Sequence, residues 1–534
     1  MSISRYKIKK NAYFLIFCIA CAVTLCEIKL FYFLFSYKGK NLNKQFINIS
    51  NRLDIVDSNG IILASNVVLY DLYLMPSKMI NVQENVDKLI AILPSLSAYK
   101  MAIMSKIYAK LDNKNDILFI KNRVSFDEKM KILQSGVLGV EFREKHFRIY
   151  KNPELMTHVI GALSYENRPL FGLELGLDSY LRNTDNQKSL MTSVNLRVQA
   201  IMYDLLNETK NKYMAKGAFG VVMNAKNGEI VSAVSLPSCN LNYIDKCSNN
   251  EIFNRFGSGI YEMGSVFKVI LASLAVSNNI DINKQYKREL YKIDKWDIHD
   301  IDNKESLGGY MTLNEIIAKS SNVGTAKIIT EIGYKKQKEF FHKLHLLKKH
   351  YLEISENTKP MFPKRWNDVS AITISYGHGI AVNAIQFISA VASIVTGHIV
   401  YPTLIKGEND NKQNIEIIKP EYVTITQNIM QNVVKNGASK ILDIANYNIG
   451  AKGGTAMKPS LGKYDKHKLL LTYVAVLPID NPEYIIFIGL DEPFVNESNN
   501  NFIRSTILGS VMKNIILQIA PILKISQNQN INVN

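Results

Sequence analysis

Cysteine and histidine are sparse in this 534-residue chain, and cysteines at metal-ligand spacing with histidines nearby are absent, so a zinc site is not expected. Cys18, Cys21 and Cys26 lie in an apolar N-terminal stretch, where a free thiol behaves as a small hydrophobe. Cys239 and Cys247 share a polar loop, and both two free thiols and a small disulfide remain open for them. Internal repeats are absent. So is a basic stripe interleaved with aromatics, although the net charge is +17. Lys, Asn and Ile are abundant from end to end, as in "NLNKQFINIS" and "SQNQNINVN". That bias explains the charge better than a docking surface for phosphates, so no nucleic-acid partner is expected.

One long apolar run is present. Arg5, Lys7, Lys9 and Lys10 precede "AYFLIFCIACAVTLCEIKLFYFLF", Ala12 to Phe35. About 24 residues at 1.5 Å rise span roughly 36 Å, enough for a hydrocarbon core of about 30 Å. A cleaved signal would have a shorter core and a small-residue cleavage site, and neither is evident. Glu27 and Lys29 interrupt the run and either snorkel toward the surface, the favoured reading, or face a partner helix. The expectation is a cytoplasmic tail over 1–11, a transmembrane helix over 12–36 and a linker over 37–50. The basic flank places the N-terminus in the cytoplasm and the rest outside the cytoplasmic membrane. Later apolar runs are short and broken by charges, so no second span is expected.

From residue 51 to about 207, short β-like runs such as "LDIVDSNGIILASNVVLYDLYLMP" alternate with helical stretches such as "NVQENVDKLIAILPSL". Asp57-Ser58-Asn59-Gly60 has the residues of a tight turn between two strands. Beyond Lys216, "GAFGVVMNAKNGEIVSAVSLP" reads as a hairpin turning at Asn227-Gly228. Helical periods follow, then the strand-like runs "LLLTYVAVLP" and "EYIIFIGLDEP". Strands, helices, then strands imply an α+β fold with a mainly antiparallel sheet flanked by helices. The Asn/Gln-rich stretch 525–534 reads as a disordered tail.

Three clusters carry chemistry. Gly264-Ser265-Val266-Phe267-Lys268 opens a helical pattern, and residues three apart share a helical face, so Lys268 can reach the Ser265 hydroxyl. Serine needs a base to become a nucleophile, and lysine serves as one only when burial or another cation lowers its pKa. Ser320-Ser321-Asn322 places a hydroxyl and a carboxamide two residues apart, suited to relaying a proton and holding a peptide group. Lys452-Gly453-Gly454-Thr455 on an edge strand would supply a cation, close backbone approach and a hydroxyl, and an extended peptide could pair with that edge. Each alone is equally an ordinary helix start, an N-cap with a polar turn, or a Gly-rich turn.

In this order they resemble the S-x-x-K, S-x-N and K-T-G signature of penicillin-binding enzymes. "FNRFGSGIYEMGSVFK" and "IAKSSNVGTAKI" look like the first two motif regions of class B penicillin-binding proteins. "SYGHGIAVNAIQF", "NYNIGAKGGTAMKPSLGKY" and "LDEP" resemble the division-specific FtsI type. Arg52, the Asp57 turn, "HVIGAL" and "FGLELGLDSYL" look like that family's non-catalytic pedestal.

The resemblance implies a pedestal (dimerisation-type) domain over 51–207 and a transpeptidase domain over 208–524. It implies a D,D-transpeptidase that cross-links peptidoglycan stem peptides at the septum during division and is acylated by β-lactams. Catalysis would rest on Ser265, Lys268, Ser320 and Lys452, and substrate binding on Asn322, Gly454 and Thr455, with no metal or cofactor required. A polymerising glycosyltransferase of the FtsW type and other divisome membrane proteins would be partners. The location implied is the inner membrane, single-pass, with the catalytic domain in the periplasm. Rival readings are an elongation transpeptidase, a β-lactamase, a penicillin-sensing receptor and a catalytically silent division scaffold. Two positions depart from the family: Gly453 stands where threonine is usual, removing a hydroxyl that helps hold a carboxylate, and Asn383 replaces a common threonine.

Overall fold

Asp57 closes the first turn of the fold. Its Oδ1 accepts the Asn59 and Ile61 N–H groups at 2.7 and 2.9 Å, and Gly60 takes the positive φ of 85° that the turn needs. The computed structural model describes residues 24, 29, 52–113, 116–183, 189–294, 296–300, 308–410, 412–460, 463–494 and 501–527. The expected tail, transmembrane helix and linker lie outside these residues, apart from Thr24 and Lys29, both helical.

The turn joins β1 (Ile55–Val56) to β2 (Ile62–Leu74) in antiparallel register. Along β2 pair β3 (Leu118–Val124) and β4 (Val140–Tyr150), while β5 (Leu190–Met191) runs parallel to β1. Against this sheet pack α1 (Val82–Ile92), α2 (Lys100–Tyr108) and α3 (Phe126–Gln134), α1 being started by Asn81 and α3 by the Ser125–Glu128 capping box. Two resemblance-bearing stretches meet in a buried ion cluster. Arg52 bonds Glu174 and Asp178, each at 2.6 Å, and Arg148 bonds the other Glu174 oxygen at 2.8 Å. Glu174 is fully buried, so two guanidinium groups compensate a carboxylate that would otherwise be costly there.

The second sheet is antiparallel, in the order β12-β13-β14-β6-β7. β6 (Gly217–Asn224) and β7 (Ile230–Leu236) are the expected hairpin, and β12 (Gly450–Ser460), β13 (Lys463–Leu477) and β14 (Tyr484–Asp491) complete it. On one face lie α5 (Lys268–Ser277), α8 (Ala384–Thr396) and α9 (Pro420–Asn436), with α6 (Leu313–Ala318) and α7 (Asn322–Ile332) beyond them. Two short ribbons precede α6: β8 (Tyr286–Lys287) with β11 (Tyr310–Met311), and β9 (Tyr291–Ile293) with β10 (Trp296–Ile298).

The other face carries α4 (Leu196–Lys212) and α10 (Asn501–Leu523). Val198, Met202 and Leu206 of α4 pack into this sheet's core, so the boundary expected after residue 207 falls inside a helix that packs with the second sheet. Strands do not end the fold, because α10 follows β14. By length and composition Thr506–Leu523 would pass for a membrane span, yet Leu508, Met512, Ile515 and Ile519 are buried against the sheet. The stretch expected to be disordered begins with Ile525 buried in the same core and Ser526 bonded to Glu483 at 2.6 Å. Its remainder after Gln527 lies outside the described residues.

Cys239 and Cys247 form a disulfide, which settles the open alternative. The loop that it closes grips the first sheet. Asn242 exchanges two hydrogen bonds with the Tyr150 backbone at 2.9 and 3.0 Å, and its carbonyl accepts from Arg123.

Candidate active site

The Ser265 segment begins as a 3-10 turn, Gly264–Phe267, and becomes α helix at Lys268. In 3-10 geometry side chains three apart eclipse, which aligns Ser265 with Lys268 more closely than an α-helical start would. Gly264 has φ +63°, and a Cβ there would lie 2.5 Å from the Thr455 carbonyl. Gly454 is equally confined, since its Cβ would meet the Val266 nitrogen at 2.9 Å and the Met263 oxygen at 3.0 Å. Thr472 of β13 donates to the same Met263 oxygen at 2.9 Å. The nucleophile turn is thus pressed onto β12, the edge strand, through two positions that only glycine can fill.

Lys268 is fully buried, which excludes an ordinary exposed helix start. Its Nζ donates to the Ser320 carbonyl, to Ser320 Oγ at 3.2 Å and to Asn322 Oδ1 at 2.8 Å. Lys452, 2 % exposed, donates to Ser320 Oγ at 3.0 Å and to the Gly453 carbonyl at 3.0 Å. One hydroxyl therefore bridges two buried amines. Burial, and next the Lys452 charge, push the Lys268 pKa well below its usual value, while Asp300 opposes them. Burial alone brings Lys452 down to about 7. Two protonated lysines beside one hydroxyl disfavour each other, so a neutral amine is available near neutral pH. Ser265 is half-buried, and its hydroxyl has no hydrogen-bond partner among the described residues.

The second motif is a sharp turn. Ser320 adopts φ 60°, Ser321 caps α7 by accepting the Gly324 N–H at 2.9 Å, and Asn322 begins the helix. The N-cap alternative therefore holds for Ser321, while Ser320 and Asn322 face Lys268. Asn322 Oδ1 is occupied by Lys268 in this state, so the carboxamide holds the amine as well as facing the cleft.

All seven residues singled out in the sequence thus lie in or beside one cluster where β12 meets the Ser265 turn and the Ser320 turn. Several neighbours escaped the sequence reading. Asp300, after β10, accepts from Ser321 Oγ at 2.8 Å and from the Asn322 and Val323 N–H groups at 2.6 and 3.1 Å. Glu262 accepts from the Gly379 N–H at 2.8 Å and the Tyr464 hydroxyl at 3.1 Å, and sits 3.1 Å from His378 Nδ1. It ties the "SYGHG" turn and β13 to the Ser265 segment. Asn383 now has a physical account. It caps α8, and its buried amide donates to Gly257, Asn357 and Thr358, partners that a threonine could not all reach. Gly453 is not simply a missing hydroxyl, because a Cβ there would lie 3.1 Å from the Tyr473 ring.

Residues 218–514 match the family described as penicillin binding protein transpeptidase domain, and residues 48–201 match the penicillin-binding protein dimerisation domain. The chain is 27 % identical over 494 residues to the probable peptidoglycan D,D-transpeptidase FtsI of Caulobacter vibrioides, covering 89 % of this chain and 82 % of that protein. It is 24 % identical over 475 residues to the probable peptidoglycan D,D-transpeptidase PenA of Neisseria meningitidis, covering 83 % and 80 %. Stage V sporulation protein D of Bacillus subtilis is 24 % identical over 515 residues, covering 86 % and 77 %.

Proposed function

The chain belongs to the penicillin-binding protein transpeptidase family, and we propose that it is a peptidoglycan D,D-transpeptidase of the FtsI type whose nucleophile is Ser265. The observation that carries this reading is the Ser320 hydroxyl held between two buried lysines, one of them three residues from Ser265. A scaffold would need neither the buried amines nor their lowered proton affinity.

The family resemblance implies the reaction, and the cluster of Lys268, Ser320 and Lys452 supports it. Ser265 Oγ bonds to the carbonyl carbon of the penultimate D-Ala of a stem pentapeptide, and Lys268 takes the hydroxyl proton. The backbone N–H groups of Ser265 and Thr455 stabilise the oxyanion, each such donor being worth about 3 kcal/mol. The close packing of β12 on the Ser265 turn supports this pairing. As the C–N bond to the terminal D-Ala breaks, Ser320 gives its proton to the leaving amine and is reprotonated from the lysines. An amine of a neighbouring stem peptide then attacks the acyl-enzyme, forms the cross-link amide and returns Ser265 as a hydroxyl. Asn322, Gly454 and Thr455 hold the donor strand along the open edge of β12. Release of terminal D-Ala from a stem pentapeptide, lost in Ser265→Ala, tests the reading; release undiminished in that variant would refute it.

The basic flank and apolar run support a single membrane anchor with the catalytic domain in the periplasm. Protease added to intact spheroplasts should digest the bulk of the chain, and full protection would contradict this topology. A septal role, with an FtsW-type glycosyltransferase and other divisome membrane proteins as partners, is supported by "SYGHGIAV", "LDEP" and the FtsI relative. Depletion should give filaments; rounded cells with normal septa would assign the chain to elongation.

A further inference from the structure

Asp300 stands outside every motif, yet its carboxylate reaches the second one from the ribbon side. Its side chain is 10 % exposed. It accepts from Ser321 Oγ at 2.8 and 3.0 Å, from the Asn322 N–H at 2.6 Å and from the Val323 N–H at 3.1 Å. Arg288, between the two ribbons, holds it with Nε at 3.2 Å. The preceding residue takes part as well, because the His299 carbonyl accepts from Asn322 Nδ2 at 3.4 Å. Ser321 is used completely: its proton goes to Asp300 while its lone pair caps Gly324. The turn so held carries Ser320 in a left-handed conformation that a non-glycine residue keeps only when its surroundings enforce it.

We propose that Asp300 is a positioning residue for acyl transfer, clamping the Ser320–Asn322 turn against Lys268 and supplying the negative charge opposite that lysine. The inference rests on the reading of Ser265 as the acylated nucleophile. The carboxylate suits this place twice over. It lies at the N-terminus of α7, where free N–H groups and the helix dipole favour an anion. It also acts on Lys268 in the sense opposite to Lys452. The groups facing Lys268 are Lys452 from β12, Ser320 and Asn322 from the second motif, and Asp300 from the ribbon. Without the carboxylate, burial and Lys452 act on Lys268 unopposed, and its neutral form persists to lower pH.

The test uses the full-length chain in detergent and the rate of Ser265 acylation by benzylpenicillin as a function of pH. Asp300→Asn should lower the plateau by roughly tenfold or more, because an acceptor of several charge-assisted hydrogen bonds is lost. The acid limb should move to lower pH. Asp300→Glu keeps the charge and should restore the limb to its wild-type position even where the plateau stays reduced. Ser321→Ala, which breaks one link and leaves the charge, should lower the plateau without moving the limb. An Asp300→Asn protein with a wild-type plateau, or with a lowered plateau and an unmoved limb, would overturn the proposal. A shifted limb in Asp300→Glu or Ser321→Ala would do the same, even where Asp300→Asn fails to fold. Absence of Ser265 labelling in the wild-type chain would instead overturn the nucleophile assignment on which it rests.

Discussion

Lys452 Nζ lies 3.0 Å from Ser320 Oγ, joining residues 132 positions apart in the chain. Lys268 approaches the same oxygen from the helix side at 3.2 Å, so the hydroxyl is the common acceptor of both amines. A proton on either lysine is one hydrogen bond from the group that the reaction asks to deliver it.

Ser320→Ala removes the bridge and leaves both amines in place. Penicillin acylation of Ser265 should slow by on the order of a hundredfold, the lower range for a lost proton-transfer group. The melting temperature should change little. A wild-type acylation rate would show that the bridge takes no part in the chemistry.

Lys452 binds its proton less tightly when folded than when unfolded. Its burial therefore costs stability in full below about pH 7, and the cost fades as pH rises toward the ordinary lysine value near 10.5. Lys452→Met should raise the melting temperature at about pH 6 by the equivalent of a few kcal/mol, and the gain should shrink steadily toward about pH 10. Acylation should be lost throughout. A gain that does not vary with pH would contradict the assignment of a buried, proton-shedding amine.

Glycine substitutions separate backbone need from chemistry. Gly264→Ala combines a left-handed φ with a carbonyl 2.5 Å from the new methyl, so it should destabilise by roughly 1–3 kcal/mol or more and suppress labelling. Gly453→Thr restores the hydroxyl usual in the family but crowds Tyr473 at 3.1 Å. It should cost roughly 1–3 kcal/mol of stability and leave acylation at or above the wild-type rate. Slower acylation by a stable Gly453→Thr protein would mean that the open edge itself is required.

The disulfide-closed loop should support the joint between the two sheets without touching the chemistry. Mass analysis of a non-reduced digest should find the Cys239 and Cys247 peptides joined. Cys247→Ser should lower stability by roughly 2–3 kcal/mol, the range for a short closed loop, with Ser265 labelling retained. Unlinked peptides would refute the pairing.

Much of the site was legible because its groups are local in sequence. Ser265 and Lys268 sit one turn apart, Ser320 and Asn322 flank one residue, and Lys452 to Thr455 run along one strand. The hairpin at Asn227-Gly228 and the Asp57 turn were legible for the same reason. Asp300 was not, since its partners lie 21 to 23 residues on and meet it only after the ribbon folds back. Nor was the meaning of Gly453, which depends on Tyr473 across the ladder. Asn383 looked like a departure from the family and proves to be a cap whose amide has three further partners. The helix after the last strand is hard to read from sequence, because its apolar run carries neither strand-like alternation nor one dominant apolar face.

The most direct test is to expose the full-length chain to several β-lactams and map the adduct by mass spectrometry. One penicilloyl group is expected, on Ser265, absent in Ser265→Ala and suppressed in Lys268→Ala, with both variants melting cooperatively. An unmodified Ser265 after prolonged exposure of a cooperatively folded protein, or an adduct on another serine, would contradict it.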